Sequence, residues 1–475
     1  MTLDSRRPVA QAVAVGGGRV LALGSSASLR RLAGPATERV DCRGATVLPG
    51  LIDPHLHLFA LAARRMNLDC AAARSVEELL ALVGRRAAAL PADAWVCGEG
   101  VDEVRLGRLP TAPELEVAAP GHPVRLRHRS RHASVLSASA LRLLGDGPGI
   151  ERRARVATGL VFGREAALGR LVGRPPSDAL TDGLAAAARE LAALGLATVA
   201  DATPRPYRAL APLRSAIGAG DFPLRVFAMR PPGSRAWGAV ERLVPGAVKI
   251  MVEEEPPGLR PRPATLARLI ARAAASGAQV AVHCVGAATL AAALAAFAAL
   301  PRRLRAGRRH RLEHVAECPP PLVARIAALG LVVVTNPAFV HWRGDAYIGE
   351  TAAPARAWLY RARTLMRAGI PLAGASDAPV VPPSPWVGIA AARARRTAAG
   401  VTLGAAERLG ARAALRLFTT GAAFALGADR LGMLAPGGPA DLVVVEPDPL
   451  RAPPDEVADA RVRLTLVAGE RVWPA

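Results

Sequence analysis

From about residue 197 onward the chain repeats one unit, a short run of β-branched and apolar residues followed by a helix-like amphipathic segment. The runs read ATVADA, LRVFAM, AVKIMV, QVAVHC, HRLEHV, LVVVTN and PLAGASD, and GLIDPHLHL stands upstream as an eighth. Strands that alternate with helices run parallel, because each crossover returns the chain to the same end of the sheet. Eight such units suggest closure into a barrel. Between the runs, TLARLIARAAASG and PPLVARIAALG carry apolar residues at helical spacing and finish in glycine, as helices do. The predicted fold class is α/β, a (β/α)8 TIM-like barrel over residues 51–61 and 186–429.

Two regions break the rhythm. The ends, 1–50 and 430–475, read as short strands with Gly and Pro turns (VAVGGGRVLALG, ADLVVVEPDPL, RLTLVAGERVW) and are expected to pair into one small β-sandwich built from both termini. Residues 62–185 are too many for a loop between the first and second barrel strands. They are expected to form an inserted α+β subdomain that opens on the helix-like SVEELLALVGRRAAAL.

Composition narrows the function. The formal charge of +22 and a pI near 11.4 would ordinarily point to nucleic acid or an anionic membrane. However, the arginines are spread along the chain, and aromatic residues make up only 4%, so stacking platforms for bases are scarce. Richness in Ala, Arg, Gly and Pro fits a GC-rich bacterial genome that has exchanged Lys codons for Arg. Cys42, Cys70, Cys97, Cys284 and Cys318 are odd in number and lack CxxC spacing, which argues against a disulfide framework and a zinc knuckle. The first residues hold too short an apolar run for a signal peptide, and AATLAAALAAFAAL falls short of a membrane span. The expectation is a soluble, cytoplasmic protein that acts on a small molecule, binds neither nucleic acid nor membrane, and has a homodimer as an open option.

Barrel enzymes carry their chemistry at the carboxyl ends of the strands. There the first strand ends in DPHLHL, and strand periodicity puts the His55 and His57 imidazoles on one face. The fifth strand ends in His283, the sixth in His314 and the eighth in Asp377, while the fourth carries Lys249. A lone His-x-His is a weak signal, and an Asp at a strand end is often a helix cap. Six such groups on strand ends that must converge are better explained as a divalent metal site, since imidazole and carboxylate are ligands that zinc takes readily.

Lys249 is the single lysine of the chain; every other member of the 61 Lys and Arg residues is arginine. A neutral lysine amine reacts with carbon dioxide to give a carbamate with two ligand oxygens. The arginine guanidinium, always protonated, cannot. The simpler alternative is an ion pair between Lys249 and a nearby acid such as Glu253.

The stretches VLPGLIDPHLHL, VKIMVEE, VHCVG, RLEHVAECPPPLVARIAALGLVVVTNP, LAGASDAPV and LGMLAPGGPADLVVVEPDP resemble the amidohydrolase superfamily, specifically its family-3 branch, which includes N-substituted formamide deformylases. In the insert, WVCGEGVDE and HPVRLRHRSRHASVLSASALRLLG resemble the same branch, so the resemblance covers nearly the whole chain. It implies that His55, His57 and Asp377 bind one metal, that His283 and His314 bind a second, and that carbamylated Lys249 bridges them, with zinc the expected metal. It further implies hydrolysis of an amide or formamide carbon–nitrogen bond, with Asp377 as general acid/base, Lys249 and His314 in the catalytic set, and His132, Asn336 and Glu253 toward the substrate. Asp53 is expected to orient the histidine pair through hydrogen bonds. A cyclic amidase, an N-acyl-amino-acid deacylase and a non-catalytic binding protein on the same scaffold are the alternatives. The chain departs from the branch where Glu253 and Glu254 replace an Asp-Gly, Ala287 stands at an acidic position, Asn336 replaces Gln, and Ser137 replaces Asn. Every metal position is kept, so these departures bear on the substrate pocket.

Overall fold

The computed structural model describes residues 1–64, 67–128, 133–173, 177–255 and 258–474. His132 therefore lies outside the described residues. The chain divides into two compact units, 1–59 with 184–475, and 60–183.

In the first unit eight strands form one sheet in sequence order: β1 (Leu51–Leu56), β2 (Leu196–Asp201), β3 (Arg225–Arg230), β4 (Leu243–Ile250), β5 (Val280–Cys284), β6 (Arg311–His314), β7 (Val332–Thr335) and β8 (Leu372–Gly374). Every neighbouring pair is parallel. Just beyond β8, the Asp377 amide donates to the His55 carbonyl at 2.9 Å and the His57 amide donates to the Ala378 carbonyl at 2.7 Å, so the last and first strands are joined at their carboxyl ends.

The connecting helices form for local reasons. Pro263–Ala275 begins with proline, whose missing N–H costs nothing in the first turn, and buries Leu266, Ile270, Ala273 and Ala274 on one face. Pro320–Leu329 begins in the same way and is closed by Gly330 in the left-handed region. Inside the barrel, small residues stack in layers. Ala202, Met229, Ala247 and Ala281 form one buried cluster. With a period of two, Lys249 and His283 share the faces of Ala247 and Ala281 and stand one layer nearer the carboxyl ends.

The ends of the chain make a four-stranded antiparallel sheet (Thr46–Pro49, Leu442–Glu446, Arg461–Val467, Glu470–Trp473) and a separate hairpin of Ala12–Gly16 with Arg19–Gly24. The hairpin turns on Gly17 and Gly18, both at positive φ, the conformation that a two-residue turn between twisted strands requires. Val20, Leu23, Leu434, Leu442, Val444 and Leu464 form one core between them.

The unit 60–183 holds a six-stranded mixed sheet with the helix Val76–Ala88 packed through Val76, Leu79, Val83 and Ala87. Ser137, the residue that departs from the branch pattern, is buried there. Its hydroxyl accepts the Val124 amide at 3.0 Å and caps the helix Ala138–Leu144. Among the described residues no helix is long and apolar enough to cross a membrane.

Candidate metal centre

The strand ends deliver His55, His57, Lys249, His283, His314 and Asp377 to one place. One ligand atom each from His55, His57 and Asp377 lies within 4.8 Å of the others. Asp377 Oδ1 is 3.2 Å from His57 Nε2 and 3.6 Å from His55 Nε2. Lys249 Nζ is 3.3 Å from His55 Nε2. The His314 ring stands 4.8 Å from the His55 ring and 4.6 Å from the His283 ring, centroid to centroid. His55 and Lys249 are each only 1% exposed. Lys249 is paired with neither Glu253 nor any other acid at ion-pair distance among the described residues; its acidic neighbours are Glu313 and Asp377.

The backbone is bent to achieve this. His314, Val315 and Asp377 all sit at positive φ, +70°, +49° and +61°, which costs each of them on the order of 1–3 kcal/mol. A β-branched residue is especially disfavoured there. The surrounding hydrogen bonds must over-determine the turn, and Asp53 supplies several of them. Its carboxylate accepts the His55 amide at 3.1 Å, the Ser376 amide and the Ser376 hydroxyl. Asp53, expected to orient the histidine pair through hydrogen bonds, does bond His55, but through the His55 backbone amide rather than its ring, and it also grips the turn carrying Asp377. Burial pushes its pKa up to about 7 against those same hydrogen bonds.

The rings are oriented by other residues. The His55 Nδ1–H donates to Glu313, and Arg311 clamps Glu313 from the other side at 2.8 and 2.9 Å. His57 Nδ1 meets the Thr203 hydroxyl at 2.7 Å, and the Thr203 amide is held by Asp201. His314 Nδ1 meets Asn336 Oδ1 at 2.8 Å, while the Asn336 amide nitrogen donates to the Ala375 carbonyl at 3.2 Å. That second bond identifies Oδ1 as the acceptor, so His314 carries its proton on Nδ1 and leaves Nε2 as a lone pair. Asn336, expected to contact substrate, has both polar groups committed to this task and is a positioning residue.

Glu253 is also not where it was expected. It is exposed on a two-stranded hairpin opposite Arg260, and among the described residues no hydrogen bond ties it to the histidine cluster.

Glu313, Arg311 and Thr203 went unread in the sequence. A signal existed for the first two. Arg311 and Glu313 are two apart on a buried parallel strand, where charged side chains on one face need partners inside the barrel.

The electrostatics favour metal. Burial, aided by the charge of Lys249, lowers the His55 pKa to about 3. Burial with the charges of His314 and Lys249 lowers that of His283 to about 2, and burial lowers that of His314 as well. Neutral imidazole is the form that ligates a metal. Burial lowers the Lys249 pKa too, toward the neutral amine. Burial alone would raise the pKa of Asp377, but the His57 contact and the nearby His314 and His55 outweigh it, so its carboxylate stays ionised. Among the described residues Asp377 Oδ1 is buried without a hydrogen-bond partner, and it faces the His55 Nε2 lone pair. Two acceptors aimed at each other in a buried site fit a cation between them.

Removing the Asn336 acceptor tests the His314 arrangement. Asn336→Ala is expected to weaken metal binding by about 10–100-fold, the usual cost of losing such a supporting partner. Asn336→Asp, which keeps the acceptor, is expected to retain most of it. Metal titration followed by elemental mass spectrometry reads both, and equal affinities in the two variants would refute the assigned role.

A sequence model described as "Amidohydrolase family" matches residues 38–473. The N-substituted formamide deformylase of Arthrobacter pascens is 29% identical over 525 aligned positions, covering 98% of this chain and 96% of that protein. The putative amidohydrolase YtcJ of Bacillus subtilis is 28% identical over 512 positions with the same coverage. An uncharacterized metal-dependent hydrolase from Pyrococcus horikoshii has the same fold, with a TM-score of 0.79 at 24% identity over 93% of this chain and 95% of that one.

Proposed function

Because the chain belongs to the amidohydrolase family, we propose that it is a metal-dependent enzyme that cleaves the amide bond of small N-substituted amides, formamides foremost. It is a hydrolase of carbon–nitrogen bonds other than peptide bonds. The observation that carries the metal reading is the orphaned Asp377 Oδ1, buried opposite two imidazole nitrogens. The likeness to the formamide deformylase supports the acyl group. Met251, Val285 and Trp342, each at least 40% exposed and following strands β4, β5 and β7, supply apolar surface that suits an N-substituent.

His55, His57 and Asp377 would hold one divalent metal and His283 and His314 a second, with zinc the best match to this ligand set. The metals supply Lewis acidity, which polarises the scissile carbonyl and makes water acidic enough to attack at neutral pH. Lys249, whose pKa burial lowers toward the neutral amine, is placed to add carbon dioxide with loss of a proton, and the carbamate would then serve with the histidines as a metal ligand. Glu313, Thr203 and Asn336 keep His55, His57 and His314 turned toward the centre. Asp377 takes the proton from the attacking water and passes it to the departing nitrogen. The carbon–nitrogen bond breaks, the nitrogen leaves as an amine, and the acyl carbon leaves as a carboxylate, which is formate for a formamide.

A substrate panel decides between bond types. Metal-loaded protein is expected to release formate from N-alkyl and N-aryl formamides faster than it opens cyclic imides or deacylates N-acyl amino acids. Preference for the rings or the acyl amino acids would transfer the reading to those classes. Metal-loaded protein inert to all of them would count against carbon–nitrogen hydrolysis.

A further inference from the structure

The barrel has a second charged cavity that the reaction does not use. It is open, about 550 Å³ in volume, and is lined among others by Arg230, Gln279, Arg308, Arg309, Arg311 and Asp429. Gln279 precedes β5, and Arg308 and Arg309 precede β6, whereas the metal-centre residues stand at the opposite ends of those strands. The cavity therefore runs from the segments that precede β5 and β6 to Arg230, the last residue of β3.

Some of its charge is already satisfied. Arg309 is held by both Asp429 oxygens at 2.7 Å and stacks on Phe424. Arg311 is held by Glu313 and by the Pro54 carbonyl. Arg230 and Arg308 differ, because among the described residues neither has a carboxylate at ion-pair distance. Arg230 is only 6% exposed, yet it donates from Nε to the Gly246 carbonyl at 3.1 Å and from Nη1 to the Ser234 carbonyl at 3.3 Å, and among the described residues Nη2 meets no acceptor. Arg308 donates from Nη1 to the Gly277 carbonyl at 3.2 Å and, among the described residues, has no other acceptor. Arg311 Nη1 likewise donates to no protein acceptor among the described residues.

A buried guanidinium without a counter-ion is costly, and four guanidinium groups facing Asp429 and Glu313 leave two positive charges uncompensated in one cavity. We propose that this cavity is a binding site for a dianionic oxyanion of the phosphate class, with Arg230 as its buried anchor and Arg308 at its rim. Guanidinium groups match phosphate oxygens in charge and in the spacing of their donors. The volume exceeds what a bare phosphate fills, so a phosphate monoester is accommodated as well as the free ion. Burial lowers the Arg230 pKa with no acid to offset it, as expected of a site whose counter-charge comes from a ligand. Arg311 is shared between this cavity and the Glu313–His55 contact, so the bound anion would stand two side chains from the metal centre.

Calorimetric titration of the metal-loaded protein with inorganic phosphate and, separately, with ribose 5-phosphate tests the site. Tighter binding of one or the other identifies the free ion or the monoester as the better ligand. Binding is expected to survive Asp377→Asn, which disables the metal centre. It is expected to weaken by about tenfold or more in Arg230→Gln, the worth of a charge-assisted hydrogen bond, with metal content unchanged. Arg308→Gln, at an exposed position that folding tolerates, is expected to weaken it by about threefold and carries the test if Arg230→Gln does not fold. Phosphate affinity unchanged in the arginine variants, or binding abolished by Asp377→Asn alone, would overturn the proposal.

Discussion

Asp377→Asn is expected to lower kcat on the best amide substrate by at least about three orders of magnitude, because general acid–base transfer by a positioned group contributes about 10²–10⁴-fold and, in the proposed mechanism, the same residue would also hold metal. Asparagine is nearly isosteric, so the fold should survive. Its amide nitrogen, however, would face the His55 and His57 nitrogens at the position where Asp377 Oδ1 now lies 3.6 Å and 3.2 Å away. A metal ligand becomes a donor, and the proton acceptor is lost with it. Activity, metal content and the circular dichroism spectrum should be measured together. Native spectrum and metal content with kcat within tenfold of wild type would remove Asp377 from the mechanism and leave the centre without its base.

Lys249→Arg is expected to reduce bound metal from about two per chain to one or fewer, with hydrolysis reduced in proportion or further. The substitution keeps a positive charge but removes the amine that reacts with carbon dioxide. Arginine is larger, and position 249 is only 1% exposed, so a misfolded variant is a foreseeable outcome. The wild type supplies an independent measurement. Metal loaded in buffer stripped of carbon dioxide should fall short of two, and bicarbonate should restore it. Two metals bound without carbon dioxide would exclude the carbamate. About one metal in both proteins would make the centre mononuclear, with Asp377 still its base.

Much of this was legible in the sequence because it is periodic or compositional. The eight strands announce themselves as apolar runs between helices whose starts and stops are written in Pro and Gly. In an arginine-rich chain, the lone Lys249 stood out, and the structure places it beside His55. His55, His57, His283, His314 and Asp377 could be read because a barrel converts strand ends that are far apart in sequence into neighbours. The roles of their supporting residues could not be read in that way. Asn336 looked like a substrate contact until the Ala375 carbonyl fixed the direction of its amide, and Glu253 looked like one until its hairpin placed it in solvent.

The sequence by itself determined the parallel strand order and the identity of the groups at the barrel's carboxyl end, since each follows from local pattern along the chain. Only the tertiary structure decided which partner each group faces. It ran Arg311–Glu313–His55 through the barrel interior, turned His314 and Asp377 into left-handed conformations, and left Arg230 buried without a carboxylate. The Glu313–His55 hydrogen bond joins residues 258 positions apart, and closure of the barrel is what brings them together.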